Sequence, residues 1–155
     1  LPEGNGHVGF LVWGDPSLYD STLRIAERLR DKIDLRLNMI PGITAIQAMT
    51  AGHQIPLNEI GASVLVTTGR QLRDHGWPPA ADTVVVMLDA GGAFEAINPA
   101  DISIWWTAYA GMANEIRISG ALSEVTDEII ATRSRARAEH GWIMDIYLLR
   151  RFKVV

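Results

Sequence analysis

The residues with the clearest potential to bind a ligand form the run Trp13-Gly14-Asp15-Pro16-Ser17, which follows an apolar stretch. Gly14 has no Cβ, so the backbone can come close to a ligand there. Asp15 and Ser17 can accept hydrogen bonds from the free N–H groups of a first helical turn. Ligands of open α/β sheets bind beyond the carboxyl ends of strands, and this run is predicted to be such an end. The alternative is a capped strand–helix turn without a ligand.

Small or polar residues also follow two later strands that the sequence predicts. One strand ends in Thr67-Thr68-Gly69 and another is followed by Asp89-Ala90-Gly91. If these ends share one edge of a sheet, they line a crevice with exposed backbone groups and little side-chain bulk. Such a crevice suits a ligand that is held by main-chain hydrogen bonds, such as a nucleoside. Gly and Thr are also common in ordinary loops, so the pattern leaves both interpretations open.

Several other chemistries have no matching pattern in the sequence. The four histidines are far apart, so no metal site is predicted. The phosphate loop GxxxxGK[ST] and the hydrolase elbow GxSxG do not occur. Arg133, Arg135 and Arg137 are expected on a polar helix face, either solvated or available to a polycarboxylate. Trp105 and Trp106 must point to opposite faces of a strand, so at most one is in the core.

Composition narrows the class of protein further. The chain has 155 residues, 48% hydrophobic and 21% charged, which is ordinary for a globular protein. Its net charge of −4 and scattered basic residues argue against nucleic acid or an anionic membrane surface as a partner. A membrane-spanning helix would need about 20 consecutive apolar residues, and the sequence has no such run. Zero cysteines fit a reducing compartment, and we expect a cytoplasmic protein.

The elements that must position these residues alternate along the chain, which predicts an α/β fold. The predicted strands cover residues 8–13, 34–40, 61–68, 83–88, 102–109, 115–118 and 142–149. The predicted helices cover residues 18–29, 44–51, 71–75 and 126–138, with a short apolar helix up to Ile97. Pro16 is expected in the first helical turn because its φ is already close to the helical value.

Two of the turns carry a resemblance to a known family. The stretches Val12–Tyr19 and Ile40–Gln47 resemble the paired Gly-Asp-Pro and Pro-Gly-Ile-Ser/Thr turns of the tetrapyrrole (corrin/porphyrin) methylases. The stretches Gly14–Ile25 and Glu139–Arg151 are similar to one corrin-ring member of that family in particular. The resemblance covers essentially the whole chain.

The resemblance implies two α/β domains with mixed sheets and a cleft between them for S-adenosylmethionine. Residues 1–40 would be the remnant of an amino-terminal domain and residues 41–155 the carboxyl-terminal domain. Family members begin with a strand and a glycine-rich turn that help to bind the tetrapyrrole. We expect that part to be missing here, which puts catalysis by this chain alone in doubt.

The resemblance also implies a reaction and a set of contacts. The reaction is methyl transfer from S-adenosylmethionine to C1 of precorrin-5, with loss of acetate and formation of S-adenosylhomocysteine. No catalytic base is assigned, although Asp15, Tyr19 and Asp89 are candidates for polar roles. The implied cofactor contacts are Trp13, Gly14, Asp15, Leu18, Thr44, Ala45, Met87, and Ala110 or Gly111.

Two alternatives to this reaction remain open. Another corrin-ring methylase, acting at a different carbon, would share the same turns. A truncated module that binds a nucleoside without turnover would share the same strand ends. The resemblance suggests a homodimer.

Overall fold

The chain divides into two units, Leu1–Thr44 and Ala45–Val155, each with its own internal contacts. The structure is a computed structural model, and it describes residues 6–152. Within that range it has four α-helices, one 3-10 helix and five strands. No helix within residues 6–152 is long and apolar enough to cross a membrane.

The first unit contains one helix, α1 (Thr22–Leu29). Its start is marked by Asp20, whose Oδ1 accepts a hydrogen bond from the N–H of Thr22 at 2.6 Å. The prediction that the helix begins at Leu18, with Pro16 in its first turn, is wrong. Tyr19 has φ +54°, and a left-handed residue cannot continue a right-handed helix, so the helix begins only after it.

The strands predicted over residues 8–13 and 34–40 are also absent from the structure. Both segments are irregular, and apolar side chains such as Phe10, which is 72% exposed, face solvent. An alternation of apolar residues makes a strand only where another strand accepts and donates its backbone hydrogen bonds. Neither segment is paired with another strand within residues 6–152.

The second unit is built on a five-stranded sheet. Its strands are β1 (Val64–Thr68), β2 (Thr83–Met87), β3 (Ile102–Ala108), β4 (Ile116–Ala121) and β5 (Asp145–Arg151). Their order in the sheet is β1-β2-β5-β3-β4. β1 and β2 are parallel, while β5 is antiparallel to both of its neighbours, β2 and β3. β1, β2 and β3 therefore run in one direction, so their carboxyl ends lie at the same edge of the sheet.

Helices cover both faces of the sheet. α3 (Gly69–His75), the 3-10 helix Ala93–Ala96 and α4 (Leu122–His140) enclose the main core on one face. Trp106 is fully buried in that core, whereas its neighbour Trp105 is half-buried, as predicted. α2 (Ala45–His53) lies on the other face, where Nε2 of His53 is 3.0 Å from Oγ1 of Thr107.

The predicted elements of this unit are confirmed, with shifted ends. α4 begins four residues before the predicted Thr126, directly after β4, and β5 begins at Asp145 rather than at Trp142. Gly120 permits the direct passage from β4 to α4, because a Cβ there would lie only 2.8 Å from Cγ1 of Val125. The mixed α/β fold class is confirmed.

Candidate functional site

The two turns that carry the family resemblance, at Gly14 and at Gly42, contact each other backbone to backbone within the first unit. Gly14 has φ +76°, and a Cβ on it would lie 3.3 Å from Cα of Thr44 and 3.4 Å from the carbonyl oxygen of Ile43. A Cβ on Gly42 would overlap the carbonyl oxygen of Gly14. A side chain at either position would push the turns apart, so the approach depends on glycine at both.

The carboxylate of Asp15 joins the same two turns. Its Oδ2 accepts a hydrogen bond from the N–H of Gly42 at 2.9 Å. Its Oδ1 accepts one from the N–H of Ser17 at 2.8 Å and another from the Ser17 hydroxyl. The bonds from Ser17, followed by that from Gly42, hold the pKa of Asp15 below its usual value, because they favour the ionised form. Asp15 therefore fixes the turn as an anion.

The structure places the predicted contact residues of the first unit at or beside these two turns. Gly14, Asp15 and Thr44 come together through the two turns. Trp13 precedes the turn and is exposed, and Leu18 follows it, with its N–H donating to the carbonyl oxygen of Asp15 at 3.2 Å.

In the second unit, the carboxyl ends of β1, β2 and β3 (Thr68, Met87 and Ala108) form what we call the carboxyl edge of the sheet. Met87 is the register partner of Thr68, which places these two ends side by side. Ala108 is the register partner of Asp145, the first residue of the intervening strand β5. The hypothesis that the ends of these two strands, β1 at Thr68 and β2 at Met87, share one edge is confirmed. The prediction that Trp13-Gly14-Asp15 is also a strand end is wrong, because no strand precedes it within residues 6–152.

The loop after β3 carries the predicted contacts Ala110 and Gly111. The N–H of Gly111 donates to Oε2 of Glu115 at 2.5 Å, and Oε1 of Glu115 pairs with Nε of Arg117 at 3.2 Å. A Cβ on Gly111 would lie 3.5 Å from Cβ of Ala48, in the first turn of α2. Because α2 begins at Ala45, the loop and the start of this helix are neighbours within the second unit.

Sequence reasoning missed a buried polar network that begins directly after β2. The Asp89 side chain is 2% exposed. Its Oδ2 accepts from the hydroxyl of Tyr147 at 2.7 Å and from the N–H of Ala93 at 2.5 Å, and its Oδ1 accepts from Gly91 and Arg73. Burial, and after it the charge of Asp89, raises the pKa of the Tyr147 phenol far above its usual value. Through these hydrogen bonds the Asp89 carboxylate stabilises the turn that follows β2.

Arg133, which lies on α4, also belongs to this network. The expectation that the Arg133 side chain is solvated is therefore wrong. Its Nε donates to Oδ2 of Asp145 at 2.8 Å and its Nη2 to the carbonyl oxygen of Asp89 at 2.8 Å. The indole of Trp106 also donates to Oδ2 of Asp145, at 3.0 Å. No spacing in the sequence could reveal this cluster, because its members meet only through the strand order of the sheet.

Each unit contains predicted contacts with little or no side chain, beside larger ones such as Trp13 and Met87. Gly14 in the first, and Ala45, Ala110 and Gly111 in the second, present main chain with little or no side chain. This suits a flat, polar ligand such as a nucleoside, which main-chain N–H and C=O groups can hydrogen-bond. Within residues 6–152, no three His, Asp or Glu side chains are grouped so that they could hold a metal ion.

Comparison with known sequences places the chain in a family. The model of the tetrapyrrole (corrin/porphyrin) methylases matches residues 3–126. A precorrin-6A synthase (deacetylating) from Sinorhizobium sp. is 52% identical over 151 residues, which are 96% of this chain and 57% of that protein. The chain therefore spans somewhat more than half the length of this relative.

Solved structures agree with this result. A protein described as related to cobalamin synthesis (CobF), from Corynebacterium diphtheriae, superposes with a TM-score of 0.86 at 43% identity, over 93% of this chain and 61% of that one. A uroporphyrin-III C-methyltransferase from Thermus thermophilus, in complex with S-adenosylhomocysteine, shares the fold with a TM-score of 0.58 at 17% identity, over 88% of this chain and 62% of that one. The chain belongs to the tetrapyrrole (corrin/porphyrin) methylase family.

Proposed function

We propose that the protein containing this chain is an S-adenosylmethionine-dependent C-methyltransferase of cobalamin biosynthesis. It methylates C1 of precorrin-5 and releases acetate, giving precorrin-6A. The observation that carries the proposal is the 52% identity to a precorrin-6A synthase across 96% of the chain. The paired glycine turns of the first unit support it, because they approach each other as closely as glycine allows and the Asp15 carboxylate holds them together.

The proposed cofactor contacts are those that the resemblance implied. In the first unit they are Trp13, Gly14, Asp15, Leu18 and Thr44. In the second unit they are Ala45, Met87, and Ala110 or Gly111. Backbone groups at these positions would bind the nucleoside, while Asp15 keeps the two glycine turns in contact.

The chain's own residues have a limited part in the proposed chemistry. S-adenosylmethionine, when bound, supplies an electrophilic methyl group. The proposed contact residues would orient it toward the ring carbon and exclude water from the reacting atoms. Release of the acetyl unit as acetate consumes one water molecule, whose proton a base must accept. Asp15 and Asp89 are both held by several donors, so we assign the base to neither.

The proposal also covers the domain boundaries, the location in the cell and the oligomeric state. Residues 1–40 would belong to an amino-terminal α/β domain and residues 41–155 to a carboxyl-terminal one. The working enzyme would be a cytoplasmic homodimer. A nucleoside-binding module without turnover is the second candidate, and it is favoured by one observation: the strand ends at Thr68 and Met87 lie side by side at one edge of the sheet.

Calorimetric titration with S-adenosylhomocysteine tests the proposal. We expect saturable one-to-one binding by this chain and no heat with ATP, which shares the adenosine but not the amino-acid part. Methyl transfer to precorrin-5 should then be measured on a chain of the relative's full length. Binding with transfer supports the enzyme, and binding without transfer at full length supports the module. No binding by either chain would refute both candidates.

A further inference from the structure

The loop between β3 and β4 is anchored differently at its base and at its tip. Tyr109, at the base, is only 5% exposed, and its N–H donates to the carbonyl oxygen of Met144 at 2.8 Å. Met112, at the tip, is 50% exposed, so burial of apolar surface does little to hold this part of the loop. Gly111, between them, has φ +75°. Its position therefore depends on polar contacts.

The Glu115 side chain supplies such a contact. Its Oε2 accepts a hydrogen bond from the N–H of Gly111 at 2.5 Å. A bond to an ionised carboxylate is stronger than one between neutral groups, and the Glu115 side chain is only 19% exposed, which limits competition by water. Glu115 thus fixes the main chain of Gly111 at the tip of the loop.

The same carboxylate is linked to α2 through Arg117 on β4. Oε1 of Glu115 pairs with Nε of Arg117 at 3.2 Å, and Nη1 of Arg117 donates to the carbonyl oxygen of Gly52 in the last turn of α2. A Cβ on Gly52 would lie only 3.0 Å from Oε1 of Glu115, so glycine lets the helix come this close. Next to it, Nε2 of His53 lies 3.1 Å from the carbonyl oxygen of Trp106 in β3. Glu115 therefore joins the loop to α2.

We propose that Glu115 is a positioning residue for the S-adenosyl ligand, because it fixes the loop after β3 relative to α2. The inference rests on the proposed function, which places ligand contacts in both segments: Ala110 or Gly111 in the loop and Ala45 at the start of α2. Glu115 acts through these segments, since its two carboxylate oxygens are engaged by Gly111 and Arg117. Without Glu115, the loop would have to be ordered when the ligand binds, and this ordering lowers the affinity.

Substitutions at Glu115 test this role by calorimetric titration with S-adenosylhomocysteine. Glu115→Ala removes the acceptor of the Gly111 N–H, and Kd should rise about tenfold, as expected for the loss of one hydrogen bond to a charged group. Glu115→Gln keeps an acceptor oxygen and loses only the ion pair with Arg117, which is 48% exposed, so its Kd should stay within about threefold of the parent chain. Glu59→Ala is the matched control, because Glu59 pairs with Arg150 near the amino end of β2, and it should leave Kd unchanged.

Hydrogen exchange at the Gly111 amide measures the anchor without any ligand. In the parent chain the Glu115 carboxylate protects this amide. Exchange followed by NMR should be about tenfold faster in Glu115→Ala and close to the parental rate in Glu115→Gln. The unfolding midpoint of each variant, measured in parallel, separates a local change in the loop from a loss of overall stability.

The outcomes separate this inference from the function on which it rests. If the parent chain binds and Glu115→Ala binds equally well, or if the Ala and Gln variants lose affinity alike, the positioning role is refuted and the proposed cofactor site stands. If affinity falls only in step with the unfolding midpoint, while Gly111 exchange is unchanged, the role of Glu115 is structural and the inference is likewise refuted. If the parent chain does not bind S-adenosylhomocysteine, the cofactor site in this chain falls and the positioning role falls with it, whatever the exchange rate of Gly111.

Discussion

Replacement of Asp89 by alanine should be among the most damaging single changes in the second unit. The side chain is 2% exposed and accepts hydrogen bonds from the hydroxyl of Tyr147, the amides of Gly91 and Ala93, and the guanidinium of Arg73. Alanine leaves all of these donors without their acceptor. The question is how many of them water can reach.

The loss of stability depends on how deeply each of these donors is buried. The bonds from Ala93 and Tyr147 are buried, and each buried donor left unsatisfied costs about 1–3 kcal/mol. The Arg73 side chain is 45% exposed, so water can replace its half of the ion pair at little cost. We therefore expect the free energy of unfolding to fall by about 4 kcal/mol, a large part of the stability of an ordinary domain.

Urea denaturation at pH 7, followed by tryptophan fluorescence, measures this change. Asp89→Asn keeps one acceptor oxygen and should lose roughly half as much stability. Asp74→Ala, at an exposed position of α3, is the matched control and should stay within about 0.5 kcal/mol of the parent chain. A loss below about 1 kcal/mol for Asp89→Ala would show that these donors find other acceptors, and the network would not be what holds the turn.

Two further predictions concern the first unit and α2. Gly14→Trp should abolish binding of S-adenosylhomocysteine, because a side chain at a position with φ +76° and 3.3 Å from Cα of Thr44 would force the Gly14 and Gly42 turns apart. Asp89→Ala should weaken binding less, and unchanged affinity in a folded Gly14→Trp variant would remove Gly14 from the site. Burial lowers the pKa of His53 below its usual 6.5, so the unfolded chain binds a proton first as the pH falls. Stability should therefore decline below pH 6.5, and His53→Gln should reduce this decline in denaturation at pH 5 and 7.5; equal declines would contradict the assignment.

The features predicted correctly from the sequence are those that depend on residues close together in the chain. The turn from Asp15 to Leu18 forms because Gly-Asp-Pro is itself a turn-forming sequence, whereas its contact with Gly42 could not be predicted from the sequence. The split of Trp105 and Trp106 between two faces follows from the alternation of any strand. The strand ends at Thr68 and Met87 follow from runs of β-branched residues that stop at small or polar ones.

The features that were missed depend on pairing between distant segments. Residues 8–13 and 34–40 have the composition of strands but no partner strand in the part of the chain that the structure describes. Arg133 reaches Asp145 and the carbonyl oxygen of Asp89 only because β5 enters the sheet beside β2. Nothing in the sequence near Arg133 distinguishes it from Arg135 or Arg137, so its burial could not be predicted.

The position of β5 has a consequence for how the second unit is made in the cell. Of the five strands, β5 is the last that the ribosome synthesises, yet it lies between β2 and β3 at the centre of the sheet. Until residues 145–151 have left the exit tunnel, each of these two neighbours has an open edge, and open edges of apolar strands pair readily with other extended chains. Translation that stops before β5 should therefore yield aggregates rather than a smaller folded sheet, which makes this unit depend on completed synthesis.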